Sequence, residues 1–489
     1  MMKALTSLAI LLLALGRPVP AQQEKPTRRE RQLEQTVQEL RERVARLEKL
    51  LEQVTHSLSP HGTPTERQSA RALPRPGGRS PIVDDHRQTP SPPERPMTTV
   101  SRRRQEGRRR VPGSLRAYWK EGIRLDSADG AFRLRLGGRI MNDWGFFIPD
   151  EAIEKAFGPQ RDGTEFRRAR LYVSGTLYDR VEFKAQYDFA GGQAAFKDVY
   201  LGFINLPVIG HVRIGHFKEP FSLEELTSSK YITFMERSLS TVFAPSRNTG
   251  LMFHNHALDE RLTWAIGVFR EADRFGAGAG DGKYNLTGRV TGLPWYREDG
   301  RKLLHLGLGY SHRKPVDGLL RLRERPEAHL ASRFVDTSAF AVTSVDVVGL
   351  EGALVYGPFS LQSEYIRDVA DRPIGPDPDF YSYYVQASYF LTGEHRRYKR
   401  STGTFDRIRP RRSFELGDRG GTGAWEIAAR YSDLDLTDGG IDGGRLQDVT
   451  LGVNWYLNPN TRLMWNYVFA DRADLGNTSI LQMRLQVDF

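Results

Sequence analysis

Two histidines in MFHNHAL, His254 and His256, form an H-x-H pair that would ligate a metal if a third ligand joined them. The sequence sets no carboxylate or further histidine recognisably beside them, and a rim or lumen position accounts for both. A G-x-S-x-G elbow and a Gly-rich nucleotide loop are missing from the chain. The expectation is therefore a protein that is not an enzyme and takes neither metal nor cofactor. What does repeat with a spacing is charge. Arg133, Arg135, Lys184, Arg213, Arg289 and Arg484 fall on the polar phase of alternating segments, with Glu182, Asp188, Glu364 and Glu426 to offset them. Cations lined along a passage guide anions through it by field alone. The same phase is also what any water-facing sheet carries.

The segments that hold these charges read as strands. VEFKAQYDFA sets Val181, Phe183, Ala185, Tyr187 and Phe189 against Glu182, Lys184, Gln186 and Asp188. LTWAIGVF sets Leu262, Trp264, Ile266 and Val268 against Thr263, Ala265 and Gly267. DVTLGVNWYL and RLMWNYVF flank NPNT, a hairpin turning at Asn458–Thr461. The chain ends LQMRLQVDF, with Leu481, Met483, Leu485, Val487 and Phe489 on one face and Gln482, Arg484, Gln486 and Asp488 on the other. Aromatics close many of these strands: Trp264, Tyr310, Tyr389, Trp455, Tyr467 and Phe489. Strands of about ten residues, aromatic ends and a terminal closing strand are the pattern of an outer-membrane β-barrel. Such a barrel must pair its last strand with its first, because lipid satisfies no open edge.

The rest of the composition agrees. No stretch after the first residues approaches the length of an apolar transmembrane helix. A mean hydropathy of −0.51 is compatible with a barrel whose inward half is polar. There is no cysteine, which excludes a disulfide framework. Net charge is +11, but residues 1–115 hold about 22 Lys and Arg against about 12 Asp and Glu, leaving about 49 against 48 beyond them. Anion preference in the strand region must therefore come from arrangement.

Ahead of the strands lie three segments. Residues 1–21 carry Lys3, an apolar run and Val19-Pro20-Ala21, the pattern of a secretory signal. Residues 22–58 contain Leu33, Val37, Leu40, Val44, Leu47, Leu51, Val54 and Leu58 in steps of four and three, an α-helical coiled coil. Residues 59–115, rich in Pro and Arg, read as a disordered basic linker, with Arg102–Arg104 and Arg108–Arg110 able to meet lipid phosphates or an anionic cell-wall polymer. For an exported chain nucleic acid is not an expected partner. Residues 116–489 are assigned to the barrel.

FRRARLYVSGTLYDRVEFKAQYDFAGG, FKDVYLGFI, IGHFKEPFSLEELTSSKYITFMERS and TLGVNWYLNPNTRL follow one another in an order that resembles the phosphate-selective porin O and P family of Gram-negative outer membranes, over roughly residues 125–489. The resemblance implies about 16 antiparallel strands. It further implies a homotrimer in outer-membrane lipid, the coiled coil in the periplasm, and passive diffusion of inorganic phosphate or similar small anions. It points to Arg167 and Arg168 of FRRARL as the paired arginines of a constriction, to Asp198 as the supporting acid and to Lys230 of TSSKY as the lysine. Guanidinium and ammonium groups replace water around an oxyanion, and a carboxylate nearby orients them and keeps affinity low enough for release.

Two features depart from that pattern. Glu225 stands in SLEELTSSK, where another cation would suit a phosphate site. Strand phase puts Arg168, Arg170 and Tyr172 inside together and turns Arg167 away, so that Arg167 contributes only above the lipid belt or beside a bulge. Arg170 therefore joins the candidates. Two other functions remain open at this level: a weakly selective general porin, and a structural tether in which the barrel anchors a cell-wall-binding N-terminus.

Overall fold

The computed structural model describes residues 114–417 and 420–489, with Gln38 alone ahead of them. The readings for 1–21, 22–58 and 59–115 thus lie outside the described residues, apart from Gln38 and the last two linker positions.

Sixteen strands close into one antiparallel barrel. They are β1 (Phe132–Pro149), β2 (Gly163–Leu177), β3 (Val181–Asp188), β4 (Ala195–Leu206), β5 (Gly210–Lys218), β6 (Arg247–Ala257), β7 (Leu262–Arg270) and β8 (Asn285–Arg297). The ring continues through β9 (Lys302–Arg313), β10 (Ser344–Tyr356), β11 (Phe359–Asp371), β12 (Asp379–Phe390), β13 (Ala424–Asp438), β14 (Ile441–Asn458), β15 (Thr461–Arg472) and β16 (Gly476–Asp488). Closure is between β16 and β1, from Thr478 opposite Pro149 to Asp488 opposite Arg139. The terminal residue extends the ladder: Gly138 N donates to the Phe489 carbonyl at 2.7 Å, and Phe489 N donates to Gly138 O at 3.1 Å. LQMRLQVDF is the closing strand, with Leu481, Leu485 and Val487 outward and Gln482, Arg484, Gln486 and Asp488 buried inside.

A hairpin of Leu115–Trp119 and Ile123–Ser127 precedes β1. Its second strand pairs with Arg133–Leu136 and so covers the edge of β1 that β16 is too short to reach. Pairing in this region begins one residue before the expected boundary at 116.

Polarity is inverted relative to a soluble fold. Ile266, Val268, Leu350, Tyr365, Tyr389 and Tyr467 face out and are exposed, while Thr287, Ser311, Gln362, Ser382, Ser432 and Asn454 face in and are buried. An apolar belt around a polar interior suits a lipid surround. No described helix is long and apolar enough to cross a membrane, which says nothing about a barrel.

Connections differ at the two ends. The end holding Asp488 has short turns, except for residues 391–423 between β12 and β13. The opposite end carries the other long connections, of which 219–246 and 314–343 fold inward, beside short turns at 439–440 and 473–475. Segment 219–246 is apolar enough to require burial: Phe221, Leu223, Phe234, Leu239 and Phe243 are nearly inaccessible. Each such side chain contributes about 1.5–3 kcal/mol by leaving water. Leu239 and Phe243 share an interior cluster with Phe334, Val345, Ile366, Leu434 and Val468, drawn from 314–343 and the β10–β15 wall. Phe221 fits because Gly309 and Gly349 are paired across β9 and β10; a Cβ on either would come within 2.9 and 2.8 Å of its ring.

Candidate functional site

The inward segment 219–246 is pinned at its start by one carboxylate. Its one-turn helix α1 (Leu223–Leu226) presents Leu223 N and Glu224 N to the Glu364 carboxylate on β11 at 3.0 and 2.8 Å. Tyr384 OH donates to the same carboxylate at 2.7 Å. Further on, Arg430 of β13 donates to Glu224 at 3.2 Å and to the Glu236 carbonyl at 3.1 Å. Charge on this side is sealed: the Arg430 side chain is 1% exposed, and Arg289 is held by Glu351 at 2.7 Å.

Across the barrel, β1 to β6 carry a different arrangement. Asp188 on β3 accepts from Arg170 Nε at 2.7 Å and has Lys197 Nζ 3.9 Å away. Asp198 on β4 is bound by Lys184 and, at 2.8 Å, by Arg247 Nε. Arg139 on β1 contacts Ser229 Oγ at 2.7 Å. Arg170 lies in the field of both Arg139 and Arg247, and Lys197 in that of Arg168, Arg170 and Arg247. Five cations, Arg139, Arg170, Lys184, Lys197 and Arg247, thus gather around two carboxylates. Water reaches this wall: the Lys184 and Lys197 side chains are 25% and 27% exposed.

A second group lies beside it. Arg167 donates to Glu236 through Nε and Nη2, each at 2.9 Å. Arg484 Nη2 reaches Glu236 at 2.7 Å and also forks onto Asp143. Arg168 Nη1 stands 3.7 Å from Glu236, and its buried Nε has no hydrogen-bond partner among the described residues. Burial pushes the Glu236 carboxyl up, but Arg167, Arg168 and Arg484 outweigh it and hold it well below the usual carboxylate range. Lys230 Nζ contacts Asp488 Oδ2 at 3.1 Å; burial, offset in part by Asp488, pushes its ammonium down to about 8. Glu225 is neutralised by Lys218 at 2.9 Å and Arg237 at 3.1 Å, and these partners outweigh burial to bring it to about 2.

Arg168, Arg170, Asp198 and Lys230 therefore lie on one side of the lumen: Arg139 neighbours Arg170, Asp198 and Lys230, and Arg168 neighbours Arg170. Arg167 comes inside as well, because the β1–β2 register slips there: Met141 opposes Arg168 and Asn142 opposes Phe166, leaving Arg167 as the extra residue of a bulge. Its partner is Glu236, so its charge is spent on holding segment 219–246.

Three residues of the cluster escape the sequence reading. Arg139 continues the phase of Arg133 and Arg135 through Gly137 and was legible by extending that alternation. Lys197 adjoins Asp198 and by simple alternation faces lipid. A second bulge, in β4 where two residues stand between the pairs Ala185–Val199 and Tyr187–Phe196 against one on β3, brings both inward. Arg247 begins β6 after the inward segment and carries no sequence signal.

The six lumen-phase cations do not stand as a file of free charge. Lys184, Arg213, Arg289, Arg484 and Arg133 are bound to Asp198, Glu182, Glu351, Asp143 and Asp179, and Arg135 donates to the Glu121 carbonyl. His254 lies on β6 with its ring stacked 4.9 Å from His211 on β5, and His256 follows on the same strand. Among the described residues, no three His, Asp or Glu side chains converge as they would around a metal.

Residues 135–489 match the family described as phosphate-selective porin O and P. The chain is similar to porin O of Pseudomonas aeruginosa, 27% identical over an alignment of 401 residues that covers 74% of this chain and 88% of the relative. It is also similar to an uncharacterised protein of Caulobacter vibrioides, 29% identical over an alignment of 396 residues that covers 78% of this chain and 76% of that one. Among solved structures, an anion-selective porin from Comamonas acidovorans superposes with a TM-score of 0.49 at 16% identity, covering 73% of this chain and all of its own. By the extent of the family match, this chain belongs to the phosphate-selective porin O and P family.

Proposed function

We propose that the protein is an outer-membrane porin through which small anions, phosphate-type oxyanions foremost, diffuse passively along the β1–β6 wall. The observation that carries this reading is the cluster of Arg139, Arg170, Lys184, Lys197 and Arg247 around Asp188 and Asp198, in which water reaches the two lysines while Arg139 and Arg170 are buried behind them. An oxyanion entering it exchanges water for guanidinium and ammonium donors, which suit its several acceptor oxygens. The two carboxylates compete for those donors and keep the anion exchangeable, as conduction requires. No bond is made or broken: the residues act through fixed charge and width.

In the same reading, 1–21 is an export signal, 22–58 a periplasmic coiled coil, 59–115 a basic tether able to touch the cell wall, and 116–489 the pore of a homotrimer. Family membership supports the outer-membrane placement. The reversal potential across a bilayer under a potassium chloride gradient tests the charge selectivity. The reading expects the chloride equilibrium potential to dominate; a reversal near zero or toward potassium refutes it.

A further inference from the structure

Segment 391–423 joins β12 to β13 at the end where the other turns are short, and its residues 398–407 do not stay outside the barrel. Tyr398 OH meets His305 Nδ1 at 2.7 Å, and Phe405 N donates to Thr227 Oγ1 of the inward segment at 3.3 Å. Arg407, with a side chain 3% exposed, enters beside β16. Its guanidinium spans both oxygens of Asp488, with Nη1 at 3.0 Å from Oδ1 and Nη2 on Oδ2, and Nη2 also donates to Tyr231 OH at 3.2 Å.

Asp488 is the carboxylate that holds Lys230. One acid is thus divided between a cation of the candidate site and a cation of the strap beneath it. The other groups that face Lys230 are Arg139 of β1 and the Tyr231 ring, 5.1 Å from Nζ. A carboxylate committed to a bidentate arginine has less charge left for a lysine that touches one of its oxygens.

We propose that Arg407 is a positioning residue for the anion site: by occupying Asp488 it leaves the Lys230 charge available, so that the 391–423 strap sets how firmly the site holds an oxyanion. This rests on the anion-binding reading above. Without Arg407, Asp488 closes on Lys230 alone. The lysine is then masked at neutral pH, and it keeps its proton to higher pH because it has gained a full partner and lost a repelling neighbour. The pairing predicts an oxyanion held more weakly, but over a wider alkaline range.

The test uses the full chain in planar bilayers, with inorganic phosphate titrated into a chloride current. Arg407→Gln is expected to raise the half-blocking phosphate concentration about fivefold, equivalent to about 1 kcal/mol, and to move the alkaline loss of block upward. Arg407→Lys should stay near wild type, and Arg409→Gln, on the strap surface, should not differ from it. On the acid side of the range Asp488→Asn alone should tighten the block, and Arg407→Gln with Asp488→Asn should return to wild type or tighter, while loss of the carboxylate that favours the Lys230 proton moves the alkaline loss of block downward in both. A generally damaged channel would not be restored by the second substitution. If Arg407→Gln leaves the block unmoved, or the double variant stays as weak as the single, the positioning role is wrong while the anion site stands. If the wild type itself shows no block, the anion-site reading falls and takes this role with it.

Discussion

Lys197 and Asp198 are neighbours in sequence, yet both side chains point into the barrel: Asp198 holds Lys184 and Arg247, while Lys197 approaches Asp188. In a regular strand one of them would face lipid. The slip in the β3–β4 register places both opposite Gln186, and it adds to the lumen a cation whose nearest carboxylate is already committed to Arg170.

Lys197 is for that reason the cation most available to a passing anion. Lys197→Gln should raise the half-blocking phosphate concentration about fivefold, a loss of about 1 kcal/mol. Arg213→Gln, which removes a cation bound to Glu182, should change it little. Titration of phosphate against the chloride current of both variants checks the contrast.

Asp188 restrains two cations at once, Arg170 at 2.7 Å and Lys197 at 3.9 Å. Asp188→Asn should free both, so phosphate dwells longer in the pore and its flux falls when phosphate is saturating. Blocked-state lifetimes in single-channel records should lengthen severalfold, and phosphate uptake into proteoliposomes should slow.

Lys230 gives the site a pH dependence. Its ammonium, brought down to about 8, is charged below that pH and neutral above it. Phosphate block should therefore weaken as pH rises through about 8. Lys230→Arg should retain block beyond that point, since guanidinium does not titrate there. Lys230→Gln should start weaker and change less across that range. Half-blocking concentrations measured from pH 6 to 10 would reveal each pattern.

The inward segment depends on the space left by paired glycines. Gly349→Ala puts a methyl within 2.8 Å of the Phe221 ring and should displace the start of the segment. The expected cost is about 1–3 kcal/mol, read as a lower unfolding temperature in detergent. Single-channel conductance should rise and become noisier as the segment loosens.

Deleting residues 22–113, which stops short of the hairpin at Leu115, distinguishes a pore from a tether. The pore reading expects conductance and phosphate block to persist. A tether would lose cell-wall association together with its phenotype.

Much of the barrel was legible in the sequence because alternation survives wherever one face meets lipid and the other meets water. LQMRLQVDF and the NPNT hairpin are direct cases, and both form as read. Near the rim the pattern fades for a physical reason. In SVDVVGLEGALVY, Val345 and Val347 point inward but pack against the folded-in loops, so both faces are apolar. Within the site, Arg168 and Arg170 follow from phase and Arg139 would have followed from one more step of it. Arg167 and Lys197 depend on bulges, which change the phase without changing residue type. Arg247, Arg407 and the sharing of Asp488 are tertiary relationships between distant segments, and no local spacing encodes them.

The most direct test of the account is the single-channel chloride current of the wild-type chain as phosphate is titrated in, beside that of Arg168→Ala and Arg170→Ala. Phosphate at concentrations far below chloride should block the current, and both substitutions should relieve the block. Chloride current that continues undisturbed at high phosphate would contradict an oxyanion site on the β1–β6 wall.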